Sequence, residues 1–104
     1  MCKVRLEFLS WLVDTLDTEY PGDSVILEQE VEDVTTVKDL LLMLAAKYPR
    51  FEQSVFDSRA QRLSSSVSIF YNGRHLELAD GLETRLNNLD ALIFVPVIAG
   101  GEVI

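Results

Sequence analysis

Two consecutive glycines near the end of the chain are the residues whose type and spacing best fit a chemical role. Gly100 and Gly101 follow a strongly apolar run, and only Glu102, Val103 and Ile104 come after them. Glycine has no side chain and adopts backbone angles that are closed to other residues, so this pair can enter a narrow channel in another protein. A Gly-Gly pair is a short motif, and the elements that precede it must supply its structural context.

The remaining polar residues predict no catalysis by this chain, no cofactor bound to it and no metal site. His75 is the only histidine and lies near Glu77, but the sequence places no serine or cysteine nucleophile with it. Asp80, Glu83 and Asp90 lack the spacing of a calcium-binding loop. A motif without the geometry of a site does not predict one.

Composition narrows the class of protein further. The 104 residues suit one domain, and the single cysteine, Cys2, excludes an internal disulfide and a cysteine-cluster metal site. We interpret Cys2 as an incidental thiol. The net charge is −8, from 9 basic and 17 acidic residues, and the basic residues do not cluster as nucleic-acid binding requires. No apolar run reaches the roughly 18 residues that cross a bilayer. We therefore expect a cytoplasmic protein that binds neither nucleic acid nor membrane.

The first half of the chain predicts two strands and a helix. Residues 3–9 alternate apolar and polar side chains, as a half-buried strand does, and residues 25–31 form a more polar strand at an edge. The connection 10–24 contains the turn signal Pro-Gly-Asp. Thr36 can cap a helix that Pro49 ends. The helix has one wide apolar stripe, made of Val37, Leu40, Leu41, Leu44, Ala45 and Tyr48.

The second half of the chain predicts three more strands separated by turns. The elements are an irregular polar segment at 50–66, a strand at 67–71, a type I′ turn at Asn72-Gly73, a short return strand at 74–78, a loop with one helical turn at 80–88 and a strand at 91–98. Phe51 and Phe56 are expected to pin the irregular segment to the body. The last strand is apolar on both faces, which is typical of a central strand in a mixed sheet.

This order of elements, β-β-α-β-β-β, predicts an α+β fold. One helix is available to cover one sheet, and the last strand has no helix of its own. It most easily enters between existing strands, beside the first strand and parallel to it. The prediction is a β-grasp (ubiquitin-like) fold, a mixed sheet of about five strands with one main helix across one face. We expect a single domain over residues 1–104 with a flexible C-terminal tail at 97–104.

With these elements in place the chain resembles the ubiquitin-like sulfur carriers of the MoaD and ThiS type, above all the small subunit of molybdopterin synthase. The resemblance covers nearly the whole chain. It rests on the strand order and on three stretches, TTVKDLLLMLAAKYP at 35–49, YNGR at 71–74 and LNNLDALIFVPVIAGG at 86–101. The last is the most specific, because an aspartate, a hydrophobic strand, a proline and a short apolar tail lead to Gly-Gly.

The resemblance implies a carrier protein on which other proteins act. In such families an E1-like activating enzyme uses ATP to adenylate the carboxylate of the terminal glycine, and sulfur then replaces the adenylate to give a thiocarboxylate. The tail enters an acceptor enzyme, such as the large subunit of molybdopterin synthase, and delivers the sulfur there. On this sequence the glycine that would carry sulfur is Gly101, with Gly100 before it. ATP would be used by the activating partner and not bound by this chain.

Two apolar groups are the predicted contacts with such partners. The first is the tail itself, where Pro96, Val97, Ile98 and Ala99 give apolar contact inside a channel and the proline stiffens the exit. Extended, the tail spans at most roughly 20 Å, enough to leave the domain and reach a pocket. The second is Phe70, on the side of its strand opposite the apolar residues next to it, where an exposed aromatic is a common anchor.

The residues beyond Gly101 depart from the resemblance. Known carriers act with the glycine at the very end, whereas Gly101 is joined to Glu102 by a peptide bond. A processing protease removes residues 102–104, or this member has lost carrier activity, or the tail serves another end. The alternatives are therefore a carrier for another pathway such as thiamine or cysteine synthesis, a protein modifier joined through Gly101 to lysines, and a β-grasp interaction module whose tail stays uncut.

Overall fold

A computed structural model describes residues 1–16 and 22–97 of the chain. Within these residues the helices are α1 (Val37–Lys47) and α2 (Pro49–Ser54), with 3-10 helices at Ser10–Leu16, Leu76–Leu78 and Gly81–Glu83. The strands are β1 (Cys2–Leu9), β2 (Ser24–Val31), β3 (Phe56–Asp57), β4 (Arg62–Leu63), β5 (Val67–Tyr71), β6 (Arg74–His75) and β7 (Ala91–Pro96).

Five of these strands form one mixed sheet in the order β2-β1-β7-β5-β6. The strand β7 lies between β1 and β5, where it pairs parallel to β1 with Arg5 opposite Ala91. On its other side it pairs antiparallel to β5, with Phe70 opposite Ile93. The predicted central position of this strand, its parallel pairing and the β-grasp fold are therefore confirmed.

The helix α1 begins where the sequence predicts, because Thr36 and Asp39 form a capping box. The Thr36 hydroxyl accepts a hydrogen bond from the Asp39 amide at 3.2 Å, and the Asp39 carboxylate accepts one from the Thr36 amide at 3.1 Å. Tyr48, with φ of −123°, ends the helix before Pro49. The buried stripe of α1 packs into the same core as the inward-facing residues of the sheet and comprises Val37, Leu40, Leu41, Leu44 and Ala45.

Three phenylalanines form the centre of that core. The rings of Phe8 and Phe94, on the neighbouring strands β1 and β7, stack with centroids 4.5 Å apart. Phe51 of α2 meets both rings edge-on, at 6.3 Å and 6.1 Å. Phe51 and Phe56 are both fully buried, so the expectation that they pin the segment after α1 to the body is confirmed.

The expectation of an irregular segment at 50–66 is wrong. Pro49 opens the short helix α2, since proline suits the first position of a helix. The strands β3 and β4 then pair as a small hairpin, with Phe56 opposite Leu63. A helix of six residues and strands of two are too short for hydrophobic periodicity to reveal.

Two further segments carry structure that the sequence did not predict. The connection 10–24 begins with the 3-10 helix Ser10–Leu16, which buries Leu12 and Val13, whereas residues 17–21 of the connection lie outside the described residues. The return strand expected at 74–78 is only β6, Arg74–His75, because the chain turns into a 3-10 helix that buries Leu76.

The turn between β5 and β6 is the predicted type I′ turn. Asn72 and Gly73 have φ of 50° and 83°, and this turn requires positive φ at both of its central residues. The helical turn expected within 80–88 is also present, at Gly81–Glu83. No helix in the described part of the chain is long and apolar enough to cross a membrane.

Candidate functional site

The candidate site is the end of β7, from which the chain leaves the sheet toward the two glycines. Pro96 is the last residue of β7 and lies opposite Val67 of β5. One residue further, the Val97 amide donates a hydrogen bond to the Ser66 carbonyl at 2.9 Å. The backbone is thus held by the sheet as far as Val97. Of the strand expected at 91–98, the structure shows Ala91–Pro96 as β7, and Ile98 lies outside the described residues.

Of the predicted tail residues, the structure describes two and leaves the others outside its range. Pro96 is buried and Val97 is half-buried. Ile98, Ala99, Gly100 and Gly101 lie outside the described residues, as do residues 102–104, so their roles stay predictions. Because the sheet holds both Pro96 and Val97, neither can enter the channel of a partner while the strand pairing is intact.

Phe70 lies half-buried on the face of the sheet opposite α1. Its neighbour across the strands is Ile93, and its ring meets the His75 ring edge-on with centroids 5.4 Å apart. Alternation along β7 places Val95 and Val97 on this same face. We name the half-buried residues of this face, Phe70, Ile93 and Val97, the tail-side patch. Val95, which lies between the last two, is buried at 6% exposed and adds no surface. Phe70 therefore stays a predicted partner contact.

His75 has a serine partner, contrary to the expectation from the sequence. The Ser68 hydroxyl and the His75 Nε2 atom are 3.1 Å apart, because the turn after β5 folds β6 back onto it. A nucleophilic serine needs a base that a third group orients. Within the described residues the His75 side chain forms no second hydrogen bond that could orient its ring. The pair therefore fastens the β5–β6 hairpin, and it gives no support to catalysis.

Asp90 is the most highly connected polar side chain near the site, and sequence reasoning missed its role. It is 7% exposed and accepts hydrogen bonds from the Tyr71 hydroxyl at 2.6 Å, the Asn72 side-chain amide at 3.0 Å and the Asn87 backbone amide at 2.7 Å. The Asn72 side-chain oxygen in turn accepts from the Ala91 amide at 2.8 Å. This group, the Asp90 network, joins the YNGR turn to the first residue of β7.

The Asp90 network also changes the titration of Tyr71. Burial raises the pKa of the Tyr71 hydroxyl, and the hydrogen bond to Asp90 raises it further. The neutral hydroxyl is the form that donates to the carboxylate, so the raised pKa keeps the donor in place over the ordinary pH range. The YNG residues and the aspartate that support the family resemblance thus act together to set the register of the strand that ends in the tail.

Cys2 is a buried thiol at the start of β1. Its sulfur donates to the Asp33 carboxylate at 3.4 Å, and burial, followed by this carboxylate, raises the pKa of the thiol. The hydrogen bond from Cys2 lowers the pKa of Asp33, helped by the chain amino group at 3.3 Å. A neutral thiol of this kind is a poor nucleophile and metal ligand. In the residues described, no group of three potential ligands could hold a metal ion.

A five-stranded β-grasp sheet whose central strand leads into a C-terminal Gly-Gly tail defines a ubiquitin-like protein. Comparison with known proteins places the chain within that class: the model of the ThiS family matches residues 12–101. A proposed sulfur carrier protein of Archaeoglobus fulgidus is 36% identical over 75 residues, which are 72% of this chain and 83% of that protein. The chain therefore belongs to the ThiS family, whose members are small sulfur carriers.

Solved structures agree with this assignment. The small archaeal modifier protein 1 of Methanosarcina acetivorans is 28% identical, with a TM-score of 0.68 over 97% of this chain and 98% of that one. The Haloferax volcanii HVO 2177 protein is 26% identical, with a TM-score of 0.71 over 96% of this chain and 87% of that one. Urm1 of Trypanosoma brucei, at 21% identity and a TM-score of 0.70 over 95% of each chain, shares the fold.

Proposed function

We propose that this chain is the sulfur carrier of molybdopterin synthesis, activated at Gly101 after residues 102–104 are removed. One observation carries the choice of Gly101: the match to the family of sulfur carriers runs to residue 101 and stops there. The three residues that would block activation are the three beyond the matched part. The fold supports it too, because the described chain ends with the central strand of the sheet, directly before the residues that lead to Gly101.

The chemistry begins at the carboxylate of Gly101. One of its oxygens attacks the α-phosphorus of ATP on an E1-like activating enzyme, and pyrophosphate leaves. Hydrosulfide, or an equivalent sulfur donor held by that enzyme, then attacks the carbonyl carbon and displaces AMP. The product is a thiocarboxylate whose sulfur can be passed to a small-molecule precursor in the acceptor enzyme, here the large subunit of molybdopterin synthase.

The need for a protease follows from the first of these steps. While Gly101 is joined to Glu102, its carbonyl oxygen is part of an amide and is a poor nucleophile toward ATP. Hydrolysis of that single peptide bond gives the free carboxylate. The absence of side chains at Gly100 and Gly101 leaves an unhindered backbone, which suits both the protease and the channel of the acceptor. We place these steps in the cytoplasm, where ATP is available.

The tail-side patch is the surface on which the two enzymes would dock. Phe70 and Ile93 are half-buried rather than buried, and so is Val97, the last described residue before the tail. An enzyme that holds this patch would fix the origin of the tail relative to its own pocket. Aromatic residues in such a position commonly dominate the energy of an interface.

The test compares the chain truncated after Gly101 with the full-length chain. Each is incubated with the E1-like enzyme of the same organism, ATP and sulfide, and the intact mass is recorded. The truncated chain should gain the mass difference of one oxygen replaced by sulfur, and the full-length chain should not. A second truncated chain carries the substitution Gly101→Ala at its last residue. It tests whether a methyl group at that position blocks the transfer of sulfur. Failure of the truncated chain to gain sulfur, with a known carrier active in the same mixture, would overturn the proposal.

A second candidate function is attachment to other proteins. It is favoured by the likeness to the small archaeal modifier protein 1, which extends over nearly the whole of both chains. In that case a lysine amine, instead of hydrosulfide, attacks the activated carbonyl of Gly101 and AMP leaves. Cell extracts would then contain this chain in an amide bond to lysine side chains, which mass spectrometry of digested extracts detects. A carrier for thiamine or cysteine synthesis would instead pass its sulfur to a different acceptor enzyme, and an uncut interaction module would keep residues 102–104.

A further inference from the structure

The two edge strands of the sheet differ in length, and the proposed carrier function does not account for the difference. At one edge β6 has two residues and the chain then turns away into a 3-10 helix. At the other edge β2 has eight residues, and no strand of the described chain pairs with its outer side. Folded proteins usually shorten, bend or cover an edge strand because an open one pairs with other chains. Among the residues that the structure describes, the β6 edge is protected in this way and the β2 edge is not.

The register of the sheet shows which backbone groups of β2 are open. The Arg5 amide donates to the Asp90 carbonyl at 2.9 Å, so the backbone groups of Arg5 point toward β7. The backbone groups of the next residue, Leu6, therefore point toward β2, where Leu6 lies opposite Leu27. Because the direction of these groups alternates along a strand, the N–H and C=O groups of Ile26 and Glu28 point away from β1, to the free edge.

The edge continues in the same pattern to Glu30. Its amide points outward like that of Glu28, and its carbonyl accepts a hydrogen bond from the Gln29 side chain at 3.2 Å. Ile26, at 46% exposed, leaves an apolar side chain on the outer face of this edge. The open edge thus offers backbone donors and acceptors together with apolar surface, which are the two features an added strand uses.

Hollows flank β2 on both faces of the sheet. On the outer face a hollow of about 380 Å³ is lined by Arg5, Ile26 and Glu28. On the helix side a hollow of about 280 Å³ lies between the end of β2 and α1, with Leu40 and Met43 among its apolar lining residues. The side chains of an added strand alternate between the two faces. One face of that strand would therefore meet the outer hollow beside Ile26 and Glu28, and the other face would meet the helix-side hollow further along, beside Glu30.

The charges of this edge select a basic partner. Glu30, Glu32 and Asp39 also line the helix-side hollow, and Glu28 lies beside the outer one. In the described part of the chain the ion pairs involve Asp33 and Glu83, and none involves these four carboxylates. A lysine or arginine can lay its methylene groups on Met43 and place its charge among the carboxylates. A second copy of this chain, with a net charge of −8, would be repelled.

We propose that the free edge of β2 is a second docking site, which takes an extended segment of a partner protein as a sixth strand, with basic side chains toward α1 and apolar ones on the outer face. This site lies at the sheet edge opposite β5 and β6, and it acts independently of the tail. A partner can therefore hold the β2 edge while the tail is engaged elsewhere. The proposal stands or falls separately from sulfur transfer.

The test uses the full-length chain and two designed peptides with blocked ends. One consists of four Lys-Val repeats, and the other consists of four Glu-Val repeats. Each peptide is titrated into isotope-labelled protein, and amide chemical shifts are recorded. The Lys-Val peptide should shift the amides of Ile26, Glu28 and Glu30 and should lose affinity as salt is added, because charge attraction is screened. The Glu-Val peptide should produce no shifts at these amides.

Variants of two glutamates separate the backbone contact from the charge contact. Glu28→Pro removes an N–H that points to the free edge and no bond to β1, so the Lys-Val peptide should bind about tenfold more weakly. Glu32→Gln removes a charge that lines the helix-side hollow and leaves the backbone of β2 unchanged, so it should weaken binding about two- to fivefold. Glu77→Gln, which makes the same charge change in the exposed 3-10 helix after β6, should leave the affinity unchanged.

Methylated peptides test the proposal without altering the protein. Only alternate N–H groups of an added strand face β2, so methylation of the backbone nitrogens at either the lysines or the valines should abolish binding, and methylation at the other set should not. Equal binding of the two methylated peptides would overturn the proposal. So would equal binding of the Lys-Val and Glu-Val peptides, shifts centred on Phe70 and Val97, or a dimer formed through these same amides without peptide.

Discussion

Asp90 lies outside the candidate site, but its removal should weaken the strand that ends at that site. Its carboxylate collects three hydrogen bonds that join the β5–β6 turn to the start of β7. Asp90→Ala removes all three hydrogen bonds and leaves Tyr71 and Asn72 without their buried acceptor. We expect a marked loss of stability. We also expect the hydrogen bonds at the start of β7 to open more often.

The magnitude follows from the exposure of each group. A hydrogen bond to a charged group contributes about 1.5–3 kcal/mol, but the losses do not add here, because Tyr71 is half-buried and Asn72 is exposed, so both regain water. We therefore expect Asp90→Ala to lower the free energy of unfolding by about 3 kcal/mol. For a domain of this size that corresponds to a Tm lower by about 12–24 °C.

Urea unfolding followed by circular dichroism measures the loss, and Asp80→Ala is the matched control. Asp80 is exposed and its side chain forms no capping hydrogen bond, so its removal should cost less than about 0.5 kcal/mol. Hydrogen exchange supplies the local readout: the amides of Arg5 and Ala91, which bond to Asp90 and Asn72, should exchange faster in Asp90→Ala. Equal stability of the two variants would refute the reasoning, because the Asp90 network would then not hold β7.

Three other outcomes are expected. Leu44→Ala should lower the free energy of unfolding by about 2–5 kcal/mol in a urea titration, since Leu44 is 2% exposed; Met43→Ala, at a site 38% exposed, should cost far less, and equal losses would contradict the packing of α1. The raised pKa of Tyr71 stabilises the fold fully below the pKa of an unfolded tyrosine, about 10, and this contribution is lost as pH rises through the higher folded pKa; Tyr71→Phe should show a smaller alkaline loss of stability, and an unchanged pH profile would contradict the assignment. The buried Cys2 thiol, whose pKa is raised, should react with iodoacetamide slowly in the folded chain and rapidly in urea, and fast reaction of the folded chain would show that β1 does not hold its first residues.

The sequence predicts most of the sheet because its strands have clear periodicity. Residues 91–96 are apolar on both faces, which is enough to place their strand at the centre of the sheet. Residues 3–9 alternate apolar and polar side chains, which is enough to predict a half-buried strand beside it. The Asn72-Gly73 turn is readable because few other residues adopt positive φ at both positions. The short elements are not predicted, because none is long enough to show hydrophobic periodicity. They include the 3-10 helix at Ser10–Leu16, the helix α2 and the hairpin of β3 and β4.

The candidate site is less readable because its polar contacts are made between residues far apart in the chain. Asp90 meets a tyrosine 19 residues away and an asparagine 18 residues away, and nothing in local sequence pairs them until β7 is known to lie beside β5. The Ser68–His75 contact is different, because it spans only seven residues and lies within the hairpin that the Asn72-Gly73 turn predicts. A register drawn across that turn would have placed the serine near the histidine.

The central claim is that the working chain ends at Gly101 and carries sulfur there. The most direct measurement is the intact mass of the chain isolated from its own cells, under conditions that preserve thiocarboxylates, with tandem fragmentation to locate the C-terminus. The account predicts a form that ends at Gly101, part of it heavier by the replacement of one oxygen with sulfur. A population in which every chain still carries Ile104, with no shortened form, would contradict it.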